Sequence, residues 1–207
     1  MRILPELFEQ NRRWAEQVRR DDPDFFPGLA RQQRPPYLWV GCSDSRVPAN
    51  QIVGLKPGEM FVHRNVANVV APGDLNCLSV LQFAVDVLGV RHVIVCGHYG
   101  CGGVRAALED RPLGLIDQWL RFVRDVYHDH AAEVDAAGDL DARVDRLCEL
   151  NVRAQAERVA RTTIVQAAWR RGQELAVHGW IYRLQDGLLH DLGVCITGLA
   201  QVPGTPS

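Results

Sequence analysis

At 207 residues, 47% of them hydrophobic, the chain is long enough to bury a sizeable core as one globular domain over 1–207. A net charge of −2, with Lys56 the only lysine, gives no electrostatic pull toward nucleic acid or an acidic membrane surface, so neither partner is expected. Pro5, Glu6, Glu9, Asn11, Arg12 and Arg13 interrupt any secretory leader, and no apolar run approaches the length of a membrane span, so the chain reads as cytoplasmic. There its six cysteines stay reduced, which favours metal ligation over disulfides.

In chain order, Leu4, Leu7, Phe8, Trp14 and Val18 mark an amphipathic helical arm over 1–30, too long to leave solvated and suited to docking on a partner subunit. Short apolar runs predict strands at 37–41 and 60–63. A helix follows over 76–88, with Asp74 as its cap and Gly89 as its stop. After a third strand at 92–96, Ile116, Trp119, Leu120, Val123 and Tyr127 repeat at helical spacing within 115–130. Residues 140–170 read as one or two further helices, 174–180 as a fourth strand, 193–197 as an added edge strand and 199–207 as a flexible tail. The alternation predicts an α/β fold: a mostly parallel central sheet of four strands plus an edge strand, with helices on both faces and the N-terminal helical arm.

Two motifs follow strand-like runs, Cys42-Ser43-Asp44-Ser45-Arg46 and His98-Tyr99-Gly100-Cys101. Ligand sites in open α/β sheets lie beyond the carboxyl ends of strands, so if the two strands are neighbours, Cys42 and His98 meet in space. Cys42, Cys101 and His98 supply three of the four tetrahedral positions that zinc prefers. The fourth decides the function: a further ligand closes the site, whereas an open place holds a water that the metal acidifies. Asp44 is the nearest candidate to complete the shell, unless a bidentate pair with Arg46 holds it back. Two thiolates cancel the charge of the metal, so activity is expected to rise toward alkaline pH. Gly97, Gly100, Gly102 and Gly103 let the backbone turn beside the metal, and Val104-Arg105 after them rules against a phosphate loop. Val47, Val66 and Leu81 are candidates for an apolar pocket. Cys77, Cys96, Cys148 and Cys195 read as buried small residues. No proton shuttle follows from spacing, and His63, His128 and His130 are available in number only.

The paired motifs resemble those of the β-class carbonic anhydrases, and the likeness extends from about Gln33 to Asp191 through Phe61 to Asn68, Cys96 to Gly103 and His178 to Tyr182. The resemblance implies one zinc ion per subunit on Cys42, His98 and Cys101, a catalytic dyad of Asp44 and Arg46, and Gln33 near the substrate. It implies reversible hydration of carbon dioxide to bicarbonate, in a homodimer or dimer of dimers. Trp39, Gly41, Arg64 and Tyr182 match a noncatalytic bicarbonate pocket of a regulated (type II) bacterial subgroup, in which Asp44's counterpart ligates zinc and shuts the site. Two other readings stay open: a hydrolase for carbonyl sulfide or carbon disulfide, and a closed zinc-binding or redox-sensing module without turnover.

Overall fold

The computed structural model describes residues 3–31 and 34–202. The chain divides into two compact units, 1–34 and 35–207. The first holds two helices, α1 (Pro5–Asp21) and α2 (Phe25–Arg31). Pro5 opens α1, where its missing N–H is not needed, with Glu6 in the first turn and Arg19 and Arg20 in the last, all matching the helix dipole. Trp14 packs edge-on to Phe26 at a centroid separation of 5.5 Å. No residue of α1 is buried, so its apolar stripe of Leu7, Phe8 and Trp14 stays about half exposed.

The second unit runs β1 (Tyr37–Cys42), α3 (Ala49–Ile52), β2 (Met60–Asn65), α4 (Leu75–Gln82), β3 (His92–His98), α5 (Gly102–Leu108), α6 (Ile116–Asp129), α7 (Ala131–Asp135), α8 (Leu140–Arg161), α9 (Thr163–Arg170), β4 (Ala176–Tyr182) and β5 (Leu189–Ile196). The five strands lie in the order β2-β1-β3-β4-β5. The first three pairings are parallel, and β5 is antiparallel on β4 with an irregularity at Gly179/Trp180. Sequence and structure agree on the type and order of the strands and differ at their ends. β1 to β3 each run further than their apolar stretches, because ladder pairs such as Cys42↔Asn65 and His98↔Tyr182 hold polar ends in the sheet. β4 is shifted by two residues, and β5 starts at Leu189, ahead of a turn in which Gly193 N–H donates to Asp191 Oδ1 at 2.8 Å.

Asp74 caps α4, accepting from Asn76 N–H at 3.1 Å, but the helix expected over 76–88 is α-helical only to Gln82 and then widens into a π turn over Phe83–Leu88. Gly89 ends it at φ 69°, a left-handed conformation that glycine adopts freely. The 140–170 segment is two helices, separated at Thr162, whose Oγ1 accepts from Val165 N–H and caps α9. Residues 199–202, placed in the flexible tail by sequence, instead form a short 3-10 turn in which Gln201 Oε1 accepts from Thr197 N–H at 2.7 Å, and Val202 is buried in the core. Residues 203–207 lie outside the described residues.

Alternation along the strands builds two faces. Leu38, Val40, Val93, Val95 and Val177 pack with α4, α8 and α9 in one apolar cluster. Beside it Cys42, Cys101 and Ile181 pack with α5, α6 and the first half of α8. Full burial of a side chain such as Leu38 or Leu147 contributes about 1.5–3 kcal/mol. The opposite face gathers Trp39, Met60, Ile94, Cys96 and Tyr182 around the short α3. α8 therefore spans both clusters of the first face, and Gly97 lets it approach: a Cβ there would lie 2.6 Å from Val152 Cγ2.

Candidate metal centre

β1 and β3 are neighbours, which places Cys42 and His98, the last residues of the two strands, side by side. The turn after β3 then delivers Cys101. Gly100 takes φ 65° in that turn, and its N–H donates to Asp145 Oδ1 of α8 at 2.9 Å, while Tyr99 Oη donates to Glu149 Oε1 at 2.7 Å. The donor atoms of Cys42, His98 and Cys101 all lie within 4.8 Å of one another, and all three residues are buried. The two sulfurs are 3.6 Å apart and unbonded.

Hydrogen bonding decides which atoms face inward. His98 Nδ1 donates to the Tyr99 carbonyl at 3.0 Å, which fixes the tautomer and turns a lone pair on Nε2 toward the sulfurs. That Nε2 is fully buried with no hydrogen-bond partner in the structure. Buried polar atoms are almost always satisfied, so an orphan aimed at two thiols fits a metal ion. Cys42 Sγ accepts from Asp44 N–H at 3.4 Å and from Ala67 N–H at 3.3 Å. The hydrogen bond from the Cys101 thiol, above all, pulls Cys42 down to about 4 against the opposing effect of burial, with His98 and the Asp44 N–H adding to it. Cys101, as the donor of that bond and itself buried, is pushed upward. The pair is thus biased toward one thiolate at Cys42, and a metal ion held here would displace the remaining thiol proton.

Asp44 is not part of this convergent set. Its Oδ2 accepts from Gly102 N–H at the start of α5 at 3.2 Å, one of the N–H groups a helix leaves unsatisfied. Its Oδ1 lies 3.5 Å from Arg46 Nη2. The pair is therefore a single loose contact and not the bidentate one expected from sequence, because Gly102 occupies the other oxygen. Of the apolar candidates, Val66 packs in the cluster that contains Cys42, Leu81 belongs to the cluster under α4, and Val47 lies on the opposite face. Gln33 lies outside the described residues.

Trp39 and Tyr182 are buried in the opposite-face cluster, and the Trp39 indole lies across Gly41, where a Cβ would fall 2.5 Å from Nε1. Arg64 donates to the Cys42 carbonyl through Nε and Nη2 at 3.0 and 2.9 Å, to the Ser43 carbonyl at 3.2 Å and to Ser45 Oγ at 2.6 Å. It is a clamp on the turn that carries Asp44. Sequence reading missed this role, along with the Gly102 and Ala67 N–H groups, since backbone donors leave no residue signature.

Fold and donor set together define an α/β protein with a Cys-His-Cys metal centre. The carbonic anhydrase family profile matches residues 37–189. A carbonic anhydrase of Emericella nidulans is 50% identical over 193 residues, covering 93% of this chain and 85% of that protein. Among solved structures, a Coccomyxa β-carbonic anhydrase in complex with acetazolamide superposes with a TM-score of 0.90 at 43% identity, over 97% of this chain and 90% of that one. A tetrameric β-carbonic anhydrase of Sordaria macrospora gives 0.87 at 40% identity, over 93% and 98%. The chain belongs to the β-class carbonic anhydrases. Its reaction is the reversible hydration of carbon dioxide, in a class of zinc enzymes.

Proposed function

We propose that Cys42, His98 and Cys101 hold one zinc ion and that Asp44 and Arg46 form the catalytic dyad beside it. The observation that carries this reading is the buried, unpartnered His98 Nε2 facing two thiols. Zinc, when bound, would supply the Lewis acidity that makes water a nucleophile, at a more alkaline pH than at an all-histidine site because two thiolates offset its charge. Asp44, anchored by Gly102 and drawn toward Arg46, orients that water and takes its proton, and being part-exposed it passes the proton on to solvent. Gln33 donates to a substrate oxygen, and Val66 helps to keep the carbon dioxide side dry. Zinc content and stopped-flow carbon dioxide hydration test this directly: wild type carries one zinc per chain and turns over, and Asp44→Asn keeps the zinc but turns over about a hundredfold more slowly. Stoichiometric zinc with no carbon dioxide hydration at any pH would move the reading to a closed module, or to carbonyl sulfide or carbon disulfide, which the same assay can be run on.

Bicarbonate inhibition through Trp39, Gly41, Arg64 and Tyr182 is part of the same proposal. Arg64 supports it, because binding an anion draws its guanidinium from Ser45 and the carbonyls of Cys42 and Ser43, freeing the turn that holds Asp44. Released from Gly102, Asp44 would be free to join Cys42, His98 and Cys101 as a fourth ligand, which would close the site to water when the metal is bound. Trp39→Phe and Tyr182→Phe are expected to weaken bicarbonate inhibition severalfold, and unchanged inhibition overturns this part alone. A homodimer or dimer of dimers is supported by the tetrameric Sordaria relative. The free state of the described cysteines supports a cytoplasmic setting.

A further inference from the structure

Asn151 and Gln155 are the buried polar side chains of α8, on a face otherwise made of Leu147, Cys148, Val152, Ala156 and Val159. They stand one helical turn apart and bond to each other, Gln155 Nε2 donating to Asn151 Oδ1 at 2.8 Å. Their remaining groups reach across to the segment after β2. Asn151 Nδ2 donates to the Ala67 carbonyl at 2.9 Å, and Gln155 Oε1 accepts from Val70 N–H at 2.8 Å. Arg158 Nη1 closes the outer end of this file, donating to Gln155 Oε1 at 3.2 Å.

The segment so held is strained. Ala67 has φ 62° and Asn68 φ 45°, in the left-handed region that residues with a Cβ avoid. Other bonds help to hold it: Asn65 Oδ1 accepts from Val69 N–H at 2.8 Å, and Trp119 Nε1 donates to the Val66 carbonyl at 2.9 Å. The outcome of the strain is a direction. The Ala67 N–H is aimed at Cys42 Sγ, 3.3 Å away.

We propose that Asn151 and Gln155 are positioning residues for the metal-binding thiolate of Cys42. They touch neither the sulfur nor the substrate. Asn151 holds the Ala67–Asn68 peptide by its carbonyl, and Gln155 holds the turn at Val70. Together they fix Ala67 in the conformation that points the N–H of the preceding Val66–Ala67 peptide, held at its own carbonyl by Trp119, at that sulfur. The inference rests on Cys42 being a metal ligand. A hydrogen bond to a ligating thiolate withdraws electron density from it, leaving the metal a stronger Lewis acid, and outer partners of this kind typically carry about 10–100-fold in metal affinity or activity.

The test is the absorption spectrum of the cobalt-substituted protein, read beside kcat, KM and thermal stability. Variants are Asn151→Ala, Gln155→Met and Gln155→Glu, with Val159→Ala as a cavity control on the same helix. Asn151→Ala and Gln155→Met are expected to move the thiolate-to-cobalt charge-transfer band to longer wavelength and to lower kcat about tenfold with KM held. Gln155→Glu keeps the acceptor for Val70 N–H and a partner for Arg158 but loses the donation to Asn151 Oδ1, so its band and kcat fall between those of Gln155→Met and wild type. Val159→Ala lowers stability and leaves the band in place. A band unmoved in both Asn151→Ala and Gln155→Met overturns the proposal, as does the same shift in Val159→Ala. Should Asn151→Ala fail to fold, the two Gln155 variants decide the matter. Cys42→Ser separates the underlying reading: cobalt retained with an unchanged thiolate band there would mean that Cys42 is no ligand at all.

Discussion

Among the described residues two groups bring their donor atoms within 4.8 Å of one another, Cys42, His98 and Cys101 in one and His63, Asp74 and Cys77 in the other. The hydrogen bonds behind the donors are what differ. His98 gives its Nδ1 proton to a carbonyl and leaves Nε2 bare. The Asn65 amide, oriented by two bonds to Val69, instead donates through Nδ2 to His63 Nε2 at 3.2 Å, so in neutral His63 that lone pair is used and Nδ1 carries the proton. Cys42 is pulled down to about 4 by its partner thiol. Cys77 is pushed up to about 12, by burial first and by the Asp74 carboxylate second. The second group therefore presents a protonated thiol and an imidazole whose Nε2 lone pair is already used, while the first offers an acidified thiol and a free lone pair. Proximity of donors does not make a metal site. The protonation states imposed by neighbours do.

The sharpest way to break this contrast is to remove one member of each group. Cys101→Ser or His98→Ala is expected to abolish stoichiometric zinc and lower carbon dioxide hydration by about a thousandfold or more. Cys77→Ser and His63→Ala should each retain one zinc per chain by elemental analysis. A second equivalent in wild type that disappears with Cys77→Ser would show that the His63 group binds metal after all. Asp44→Asn comes next in size: zinc unchanged, kcat down about a hundredfold, as for loss of a positioned proton acceptor.

The two groups were unequally legible from sequence. Cys42, His98 and Cys101 stand out because each motif breaks an apolar strand at its carboxyl end, where the sheet's topology collects ligands. The His63 group spans a strand, a loop and a helix start, and no spacing rule joins them. Element types were readable from apolar runs, whereas strand ends were not, since Asn65 and His98 are held by ladder pairing rather than by propensity. The π turn over Phe83–Leu88 was hidden for a related reason: a shift in backbone bonding leaves side-chain spacing nearly unchanged. Arg64 was matched to bicarbonate, and nothing in its sequence context announced the clamp on Cys42 and Ser43. Asn151 and Gln155 did leave a signal, two polar residues four apart within the apolar stripe of α8, which periodicity alone reads as an exposed edge.

The smallest expected effect separates the two thiols by sign. Cys77 keeps its proton in the folded chain up to about 12 but gives it up near the ordinary thiol value of 9.0 when unfolded. Its contribution to stability is thus fully present below pH 9 and is lost as pH climbs toward 12, at no more than about 1.4 kcal/mol per pH unit. In metal-free protein Cys42 works the other way: with its thiol pulled down to about 4 in the folded chain, its contribution is present above the ordinary thiol value of 9.0 and is lost as pH falls toward 4. Urea midpoints measured from pH 8 to 10 should therefore fall more steeply in wild type than in Cys77→Ala. Comparing slopes rather than midpoints cancels the fixed cost of the cavity that the alanine leaves. Parallel slopes would mean that the Cys77 thiol ionises as readily in the fold as out of it, and the protonation contrast between the two groups would then rest on the histidines alone.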